Sequence, residues 1–274
     1  MKLIAEIGSN WTTWDELIKF TNSIEFDYIK FQIWKTERFI HQSHPGYQSY
    51  QDRELPDEWK PKLVRRFGKR LMASVFDEES AWEMNELGLT NWKIASGDIT
   101  HIRLIKYIAR MNHPIWISTG NANEYEIKRA ISTIREVNSR PITLMHCVAA
   151  YPCGLSDLAL GRLDWLRKLA GGRPGAEGSV TLGWSSHVRP EVANIAAAVM
   201  MARGASELEF HVGPSSALAN SPDSVVSLNG KQWRTMHTQL KQVNESEGAQ
   251  PNCNRDELLW ARRCESDWLR PWDR

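Results

Sequence analysis

Short apolar runs alternate along the chain with longer stretches whose apolar residues recur at helical spacing, the pattern of repeated strand and helix units that build a parallel sheet. Eight runs read as strands: KLIAEIGSN (2–10), DYIKFQIW (27–34), RLMASVF (70–76), NWKIASGD (91–98), HPIWISTG (113–120), ITLMHCVA (142–149), SVTLGWSSH (179–187) and ELEFHVG (207–213). Helices are predicted over TTWDELIKFTNSI, DEESAWEMNELG, HIRLIKYIARM, EYEIKRAISTIREVN and PEVANIAAAVMMARG, the last with Pro near its start and Gly at its end, and again over 231–246. Eight such units predict an α/β fold, a (β/α)8 TIM barrel. A barrel of this kind needs roughly 250 residues, and the chain has 274. An open doubly wound sheet is the competing architecture, but its early units would carry a GxGxxG or P-loop, and this chain has neither. The barrel is read over 1–246 and a Trp- and Arg-rich tail over 247–274. Two segments break the rhythm. ERFIHQSHPGYQSYQDRELPDEWK (37–60) is a long loop on the face where barrels keep active-site or interface material. GGRPGAEGS (171–179) has glycines without a GK[ST] and reads as a connector.

Composition narrows the function. Net charge is +1 from 34 basic and 33 acidic residues, which gives no broad footprint for nucleic acid or anionic membrane. The most apolar window, ANIAAAVMMA (193–202), falls short of the roughly 18 residues of a membrane span, and the first ten residues lack a signal-peptide core. The four cysteines form no CxxC pair, so neither a zinc knuckle nor a disulfide scaffold is expected. A cytoplasmic protein is the expectation. Thirteen tryptophans suggest sugar stacking, but Trp92, Trp116 and Trp184 lie inside strand-like runs, where packing explains them.

The chemistry gathers at the strand ends, which in a barrel converge on the C-terminal face. Those ends carry Glu6 and Asn10, Lys30 and Gln32, Ser74, then Lys93, Ser96 and Asp98, then Ser118 and Thr119, Tyr151 just past strand six, Ser185 and His187, and Glu209 and His211. Alternation puts Lys30 with Gln32, Ser185 with His187, and Glu209 with His211 on shared faces, and turns Trp184 and Ser186 toward the helices. A lysine buried in an apolar run must be paired or neutralised. Lys30 and Lys93, with Ser96 and Ser118 around them, therefore describe either a phosphate or carboxylate pocket or a polar core paired with Glu6, Glu209 or Asp98. His187 and His211 end consecutive strands at a separation that suits two imidazoles on one divalent ion. His146 has no such partner and reads as structural.

IAEIGSN (4–10), IKFQ (29–32), WKIASGDIT (92–100), ISTGNA (117–122), MHCVAAYP (145–152), GWSSH (183–187) and EFH (209–211) together resemble the sialic acid (N-acetylneuraminate) synthase family over about 1–230. The resemblance implies a transferase that condenses phosphoenolpyruvate with N-acetylmannosamine or a related amino sugar, using manganese or magnesium. It implies Lys30, Ser74, Lys93, Ser96, Ser118 and Ser185 as phosphoenolpyruvate ligands, and His187 and His211 as metal ligands. Gln32, Tyr151 and Asp223 would face the sugar, with Glu6 and Asp98 as the acid/base candidates. The metal would polarise the sugar aldehyde for attack by phosphoenolpyruvate C3, and water would then add at C2 with loss of phosphate. A homodimer is also implied.

This chain departs from the family pattern at several points. Trp11, Thr12 and Thr13 stand where the family has a His-Asn-Gly type turn, and Ala73, Ser74, Val75 and Phe76 replace Ser-Thr-Pro-Phe. Ser186 replaces the Asp of Ser-Asp-His, and the segment after His211 lacks the usual aromatic. The family's C-terminal antifreeze-like domain, which the resemblance implies would supply an arginine to the sugar, is not read in this sequence, so the expectation is that either another group, with the tail as one option, does that job or the acceptor differs. The competing functional readings are a noncatalytic barrel acting as a binding or scaffold subunit, and a metal-dependent aldolase or hydrolase. Buried cations have no use in a scaffold.

Overall fold

Alternation of side chains along each strand decides what fills the barrel and what faces the helices. The computed structural model describes residues 1–8, 11, 13–170, 179–214 and 223–247. Asn10, Thr12, the connector apart from Ser179, and the tail beyond Glu247 lie outside the described residues. Among the described residues, eight parallel strands close into a barrel in chain order. They are β1 (Lys2–Glu6), β2 (Tyr28–Ile33), β3 (Leu71–Val75), β4 (Trp92–Ile94), β5 (Ile115–Ser118), β6 (Ile142–His146), β7 (Val180–Ser186) and β8 (Glu207–His211). Closure is made by β8 on β1, with Ala5 opposite Phe210 and Glu6 opposite His211. The fold is the (β/α)8 barrel read from the pattern. Every strand lies inside its predicted run, ending where the chain bends away over the active-site face.

The predicted helices form as α1 (Trp14–Thr21), α5 (Glu78–Glu86), α6 (Ile102–Ala109), α7 (Glu124–Arg135), α9 (Ala193–Ala202) and α10 (Gly230–Glu247). The signals that fix their starts are physical. Thr13 and Asp77 cap α1 and α5 by accepting from the N–H three residues on, and Asn123 with Glu126 makes a reciprocal capping box on α7. The segment read as a loop after strand two instead folds into α2 (Thr36–Phe39) and α3 (Tyr47–Gln51), before α4 (Trp59–Phe67). Neither α2 nor α3 begins with a capping side chain, and each is about one turn long, so no periodicity or cap marks them. α8 (Gly161–Ala170) completes the ring.

Alternation yields two cores. Outward residues such as Leu3, Ile29, Phe31, Trp92, Leu144, Trp184 and Phe210 pack against the helices in one continuous cluster. Inward residues Ile4, Met72, Trp116 and Met145, with Tyr28 against them, plug the lower barrel. Trp92 and Trp184 thus pack outward, whereas Trp116 lies in this plug with its indole N–H donating to Glu207. Gly183 faces the plug because there is no room for more: a methyl group there would meet the Met145 sulfur and stand 2.9 Å from the Glu207 carbonyl oxygen. The next inward layer, one pleat higher, is made of ionisable and hydroxyl side chains.

Candidate active site

That polar layer begins with Glu6, Lys30, Ser74, Lys93, Ser118, Ser185 and Glu209, all buried. The strand registers set them side by side, with Glu6 opposite Lys30, Ser74 opposite Lys93 and Ser185 opposite Glu209. The charges compensate in a chain. Lys30 Nζ lies 2.5 Å from Glu6 Oε2 and 3.5 Å from Glu209 Oε1, and it donates to Ser74 Oγ at 3.4 Å. Lys93 reaches across the barrel from β4 to Glu209 Oε2 on β8, 2.7 Å away. Ser185 Oγ donates to Glu209 Oε1 at 3.1 Å. Of the pairings considered from sequence, the lysines take Glu6 and Glu209, and Asp98 takes no part.

The two lysines are nevertheless unequal. Burial disfavours the Lys30 ammonium, but Glu209 and Glu6 outweigh it and hold its pKa above the usual lysine value. Burial and the nearby Lys30 charge outweigh the single carboxylate that Lys93 shares, and its pKa falls below the usual value. Glu209, despite burial, is held far below the carboxylate range by Lys30 and Lys93. Lys93 is the undercompensated cation of the layer.

Above this layer opens a cavity of about 280 Å³. Its walls include Lys30, Gln32, Ser74, Lys93, Ser96, Ser118, Tyr151, Ser185, His187 and His211, so most of the side chains singled out in the sequence meet there. Three of those given a role in the site do not line it. Glu6 lies wholly buried below, with Oε1 accepting from Gln32 Nε2 at 2.7 Å and Oε2 against Lys30. Asp223 stands behind His211, with Oδ2 3.5 Å from Nδ1. Asp98 belongs to the turn after β4, half-buried, and burial raises its carboxyl to about 6 against the pull of His101.

The histidines are oriented from behind. His187 Nδ1 contacts the Val148 carbonyl oxygen at 2.6 Å, and its Nε2 meets the Tyr151 hydroxyl at 2.7 Å. The Tyr151 ring stacks on that imidazole with centroids 4.0 Å apart, and the two imidazole centroids are 5.7 Å apart. Burial and then the neighbouring His211 push His187 down to about 4, so it is neutral at neutral pH. Burial also opposes charge on His211, but Asp223 outweighs it and raises its pKa. Among the described residues no three His, Cys, Asp or Glu side chains gather as a metal cluster. His146 lies on the outer face, Nε2 on the Leu158 carbonyl oxygen at 2.8 Å.

Glu209, Cys147 and Phe76 also line the cavity. Parity with His211 points to Glu209, but its double pairing depends on barrel closure. Cys147 sits 3.1 Å from Ser96 Oγ, and both crowd Gly120, where a Cβ would come within 2.9 Å of each. Phe76 belongs to an aromatic cluster with Trp34, Phe39 and Tyr50, and this cluster anchors the α2 and α3 segment beside the cavity.

A closed parallel barrel with buried lysines, serines and two oriented histidines at its C-terminal mouth defines an enzyme of the barrel class, its site in the usual place for that fold. The chain belongs to the NeuB family, whose model matches residues 17–252. It is 28% identical over 269 residues to the N,N'-diacetyllegionaminic acid synthase of Campylobacter jejuni subsp. jejuni, covering 90% of this chain and 77% of that protein. It is 32% identical over 199 residues to the pseudaminic acid synthase of Helicobacter pylori, covering 72% of this chain and 55% of that one. Among solved structures, the N-acetylneuraminic acid synthetase of Leptospira borgpetersenii superposes with a TM-score of 0.79 at 24% identity, over 93% of this chain and 88% of that chain, a likeness of fold. No helix among the described residues is long and apolar enough to cross a membrane.

Proposed function

We propose that this protein condenses phosphoenolpyruvate with an N-acylated amino sugar, giving a sialic acid-like 2-keto sugar acid and phosphate in the cytoplasm. The observation that carries the reading is Lys93. It is an ammonium 2% exposed, holding half a share in one carboxylate, in a cavity with four serine hydroxyls. An anion seated against Lys93 and Lys30 adds negative charge beside the cation that only shares a carboxylate, with Ser74, Ser96, Ser118 and Ser185 as donors to its oxygens. Family membership and the names of the relatives support phosphoenolpyruvate as that anion and an amino sugar as its partner.

The two histidines fit a divalent metal. In each, Nδ1 faces an acceptor, the Val148 carbonyl oxygen or the Asp223 carboxylate, so Nε2 would be the ligand nitrogen, in His187 by taking the place of its contact with the Tyr151 hydroxyl. When bound, manganese or magnesium would supply Lewis-acid polarisation of the sugar carbonyl. The chain's own groups do the rest. The lysines and serines hold phosphoenolpyruvate so that C3 faces the acceptor carbon, and their positive charge favours departure of phosphate after water adds at C2. Glu6 acts as a positioning residue, since its two oxygens are committed to Lys30 and Gln32. Tyr151 stands over His187 with its hydroxyl on Nε2, and an ion held by that nitrogen would release the hydroxyl to the sugar.

The test is phosphate release from phosphoenolpyruvate with a panel of amino sugars, in manganese and in chelator. Metal-dependent release with at least one sugar is expected. Absence of release with every acceptor refutes the reading, and aldol cleavage without phosphoenolpyruvate replaces it.

A further inference from the structure

One thiol in the cavity has no part in the condensation proposed above. Cys147 is 3% exposed, its Sγ stands 3.1 Å from Ser96 Oγ, and both residues line the cavity. The same hydroxyl oxygen accepts the Gly120 N–H at 3.2 Å. Three strand ends thus meet at one oxygen, with Ser96 in the turn after β4, Gly120 after β5 and Cys147 after β6. The approach is close enough to require a glycine, since a Cβ at position 120 would stand 2.9 Å from both Cys147 Sγ and Ser96 Oγ. The backbone on either side of Gly120 is pinned. The Thr119 N–H donates to the Met145 carbonyl oxygen at 3.0 Å, and Arg162 donates to the carbonyl oxygens of Thr119 and Ala122 at 3.0 and 2.6 Å.

A hydroxyl offers one proton and two lone pairs. The Gly120 N–H takes one lone pair of Ser96, so two arrangements remain for the rest. In one, Ser96 donates to the sulfur and turns a lone pair toward the cavity, where it repels an anion. In the other, the Cys147 thiol donates to the oxygen, both lone pairs are filled, and the hydroxyl proton is left for the cavity. Sulfur is a weak acceptor, so the first arrangement is easily given up. Phosphate oxygens accept, and an anion therefore selects the second. We infer that Cys147 is a positioning residue for the bound anion: with the Gly120 N–H it fills the acceptor side of Ser96 Oγ and commits the Ser96 proton to a phosphate oxygen. The inference rests on the anion site of the proposed function and is independent of the acceptor sugar.

The experiment is calorimetric titration of the full chain with inorganic phosphate, in the wild type, Cys147→Ser, Cys147→Ala, Ser96→Ala and the double variant Ser96→Ala with Cys147→Ala. Each substitution removes or replaces a single side-chain atom, so the fold is kept, and thermal melts check it. Ser96→Ala deletes a hydrogen bond to a charged group and should weaken phosphate about tenfold or more. Cys147→Ala frees the hydroxyl among three staggered positions and removes the donor that polarises it, which should weaken phosphate about fivefold. Cys147→Ser restores a donor and should stay within about twofold of the wild type. Added to Ser96→Ala, Cys147→Ala should change affinity by less than about twofold, because the group that it positions is gone. A loss of about fivefold in that background marks a packing effect and overturns the inference. So does a Cys147→Ser variant as weak as Cys147→Ala, or a Cys147→Ala variant that binds phosphate as the wild type does. A wild type that binds no phosphate refutes the anion site itself, and the inference with it.

Discussion

Replacing Lys93 with Met separates a residue kept for a ligand from one kept for the fold. Because burial and Lys30 hold its pKa below the unfolded value, the native state binds fewer protons at this site than the unfolded chain does. The site therefore costs stability at neutral pH, and the cost fades as pH rises through the folded pKa. Removing the ammonium lifts that cost, while Glu209 keeps Lys30 at 3.5 Å and Ser185 at 3.1 Å. The net change in stability should stay within about 1–2 kcal/mol, or a few degrees in Tm. Anion binding should suffer far more. A unit charge about 4 Å away at an effective dielectric of about 20 contributes on the order of 4 kcal/mol, so inorganic phosphate should bind roughly a thousandfold more weakly. Lys30→Met is the contrast, since Glu6, fully buried, loses the ammonium 2.5 Å away. A buried charge stripped of its partner costs about 3–5 kcal/mol, which lowers Tm by roughly 6–15 °C. Calorimetric titration with phosphate and thermal melts of both variants read the two effects. Phosphate affinity in Lys93→Met within threefold of wild type, or a melt as low as that of Lys30→Met, refutes the reasoning.

Other consequences are measurable in the same way. Asp98, raised from 3.8 to about 6, costs stability as pH climbs through that window; Asp98→Asn should therefore stabilise by about 1–2 kcal/mol at pH 7 and hardly at all at pH 3.5, and equal pH slopes for variant and wild type would contradict this. Activity of the same variant tests the acid/base role expected of Asp98, because loss of turnover with a raised Tm marks catalysis apart from stability. His187→Ala should abolish metal-dependent phosphate release and remove the rise in Tm on adding manganese; a melt that still responds as in wild type refutes the ligand assignment. Gly183→Ala, which sets a methyl 2.9 Å from the Glu207 carbonyl oxygen, should lower stability by about 1–3 kcal/mol, and an unchanged urea midpoint would show that the plug can yield.

How far the sequence could be read follows from the range of each rule. Alternation within strands is local, so it set Lys30 with Gln32, Ser185 with His187 and Glu209 with His211 on shared faces without any tertiary knowledge. It stops working where the strand stops. β4 ends at Ile94 and the chain turns tightly through Ser96–Asp98, so Asp98 leaves the register that carries Lys93 inward. Glu6 has the right parity, yet whether an inward residue reaches the cavity depends on which side chains cover it, here Lys30 and Gln32. Glu209 bridges β2 and β4 from β8, a contact that exists only because the sheet closes. The α2 and α3 segment escaped for a different reason: it is held by aromatic contacts among Trp34, Phe39, Tyr50 and Phe76 rather than by periodicity.

Glu209 also sets a limit on affinity. Any anion that settles on Lys93 competes with a carboxylate already 2.7 Å from it, tethered to the barrel wall and impossible to dilute. A site with two unopposed ammonium groups would hold phosphate tightly enough to be poisoned by its own product. With a resident rival on β8, the departing ion is exchanged for a neighbour rather than for a vacuum, and turnover gains what occupancy gives up.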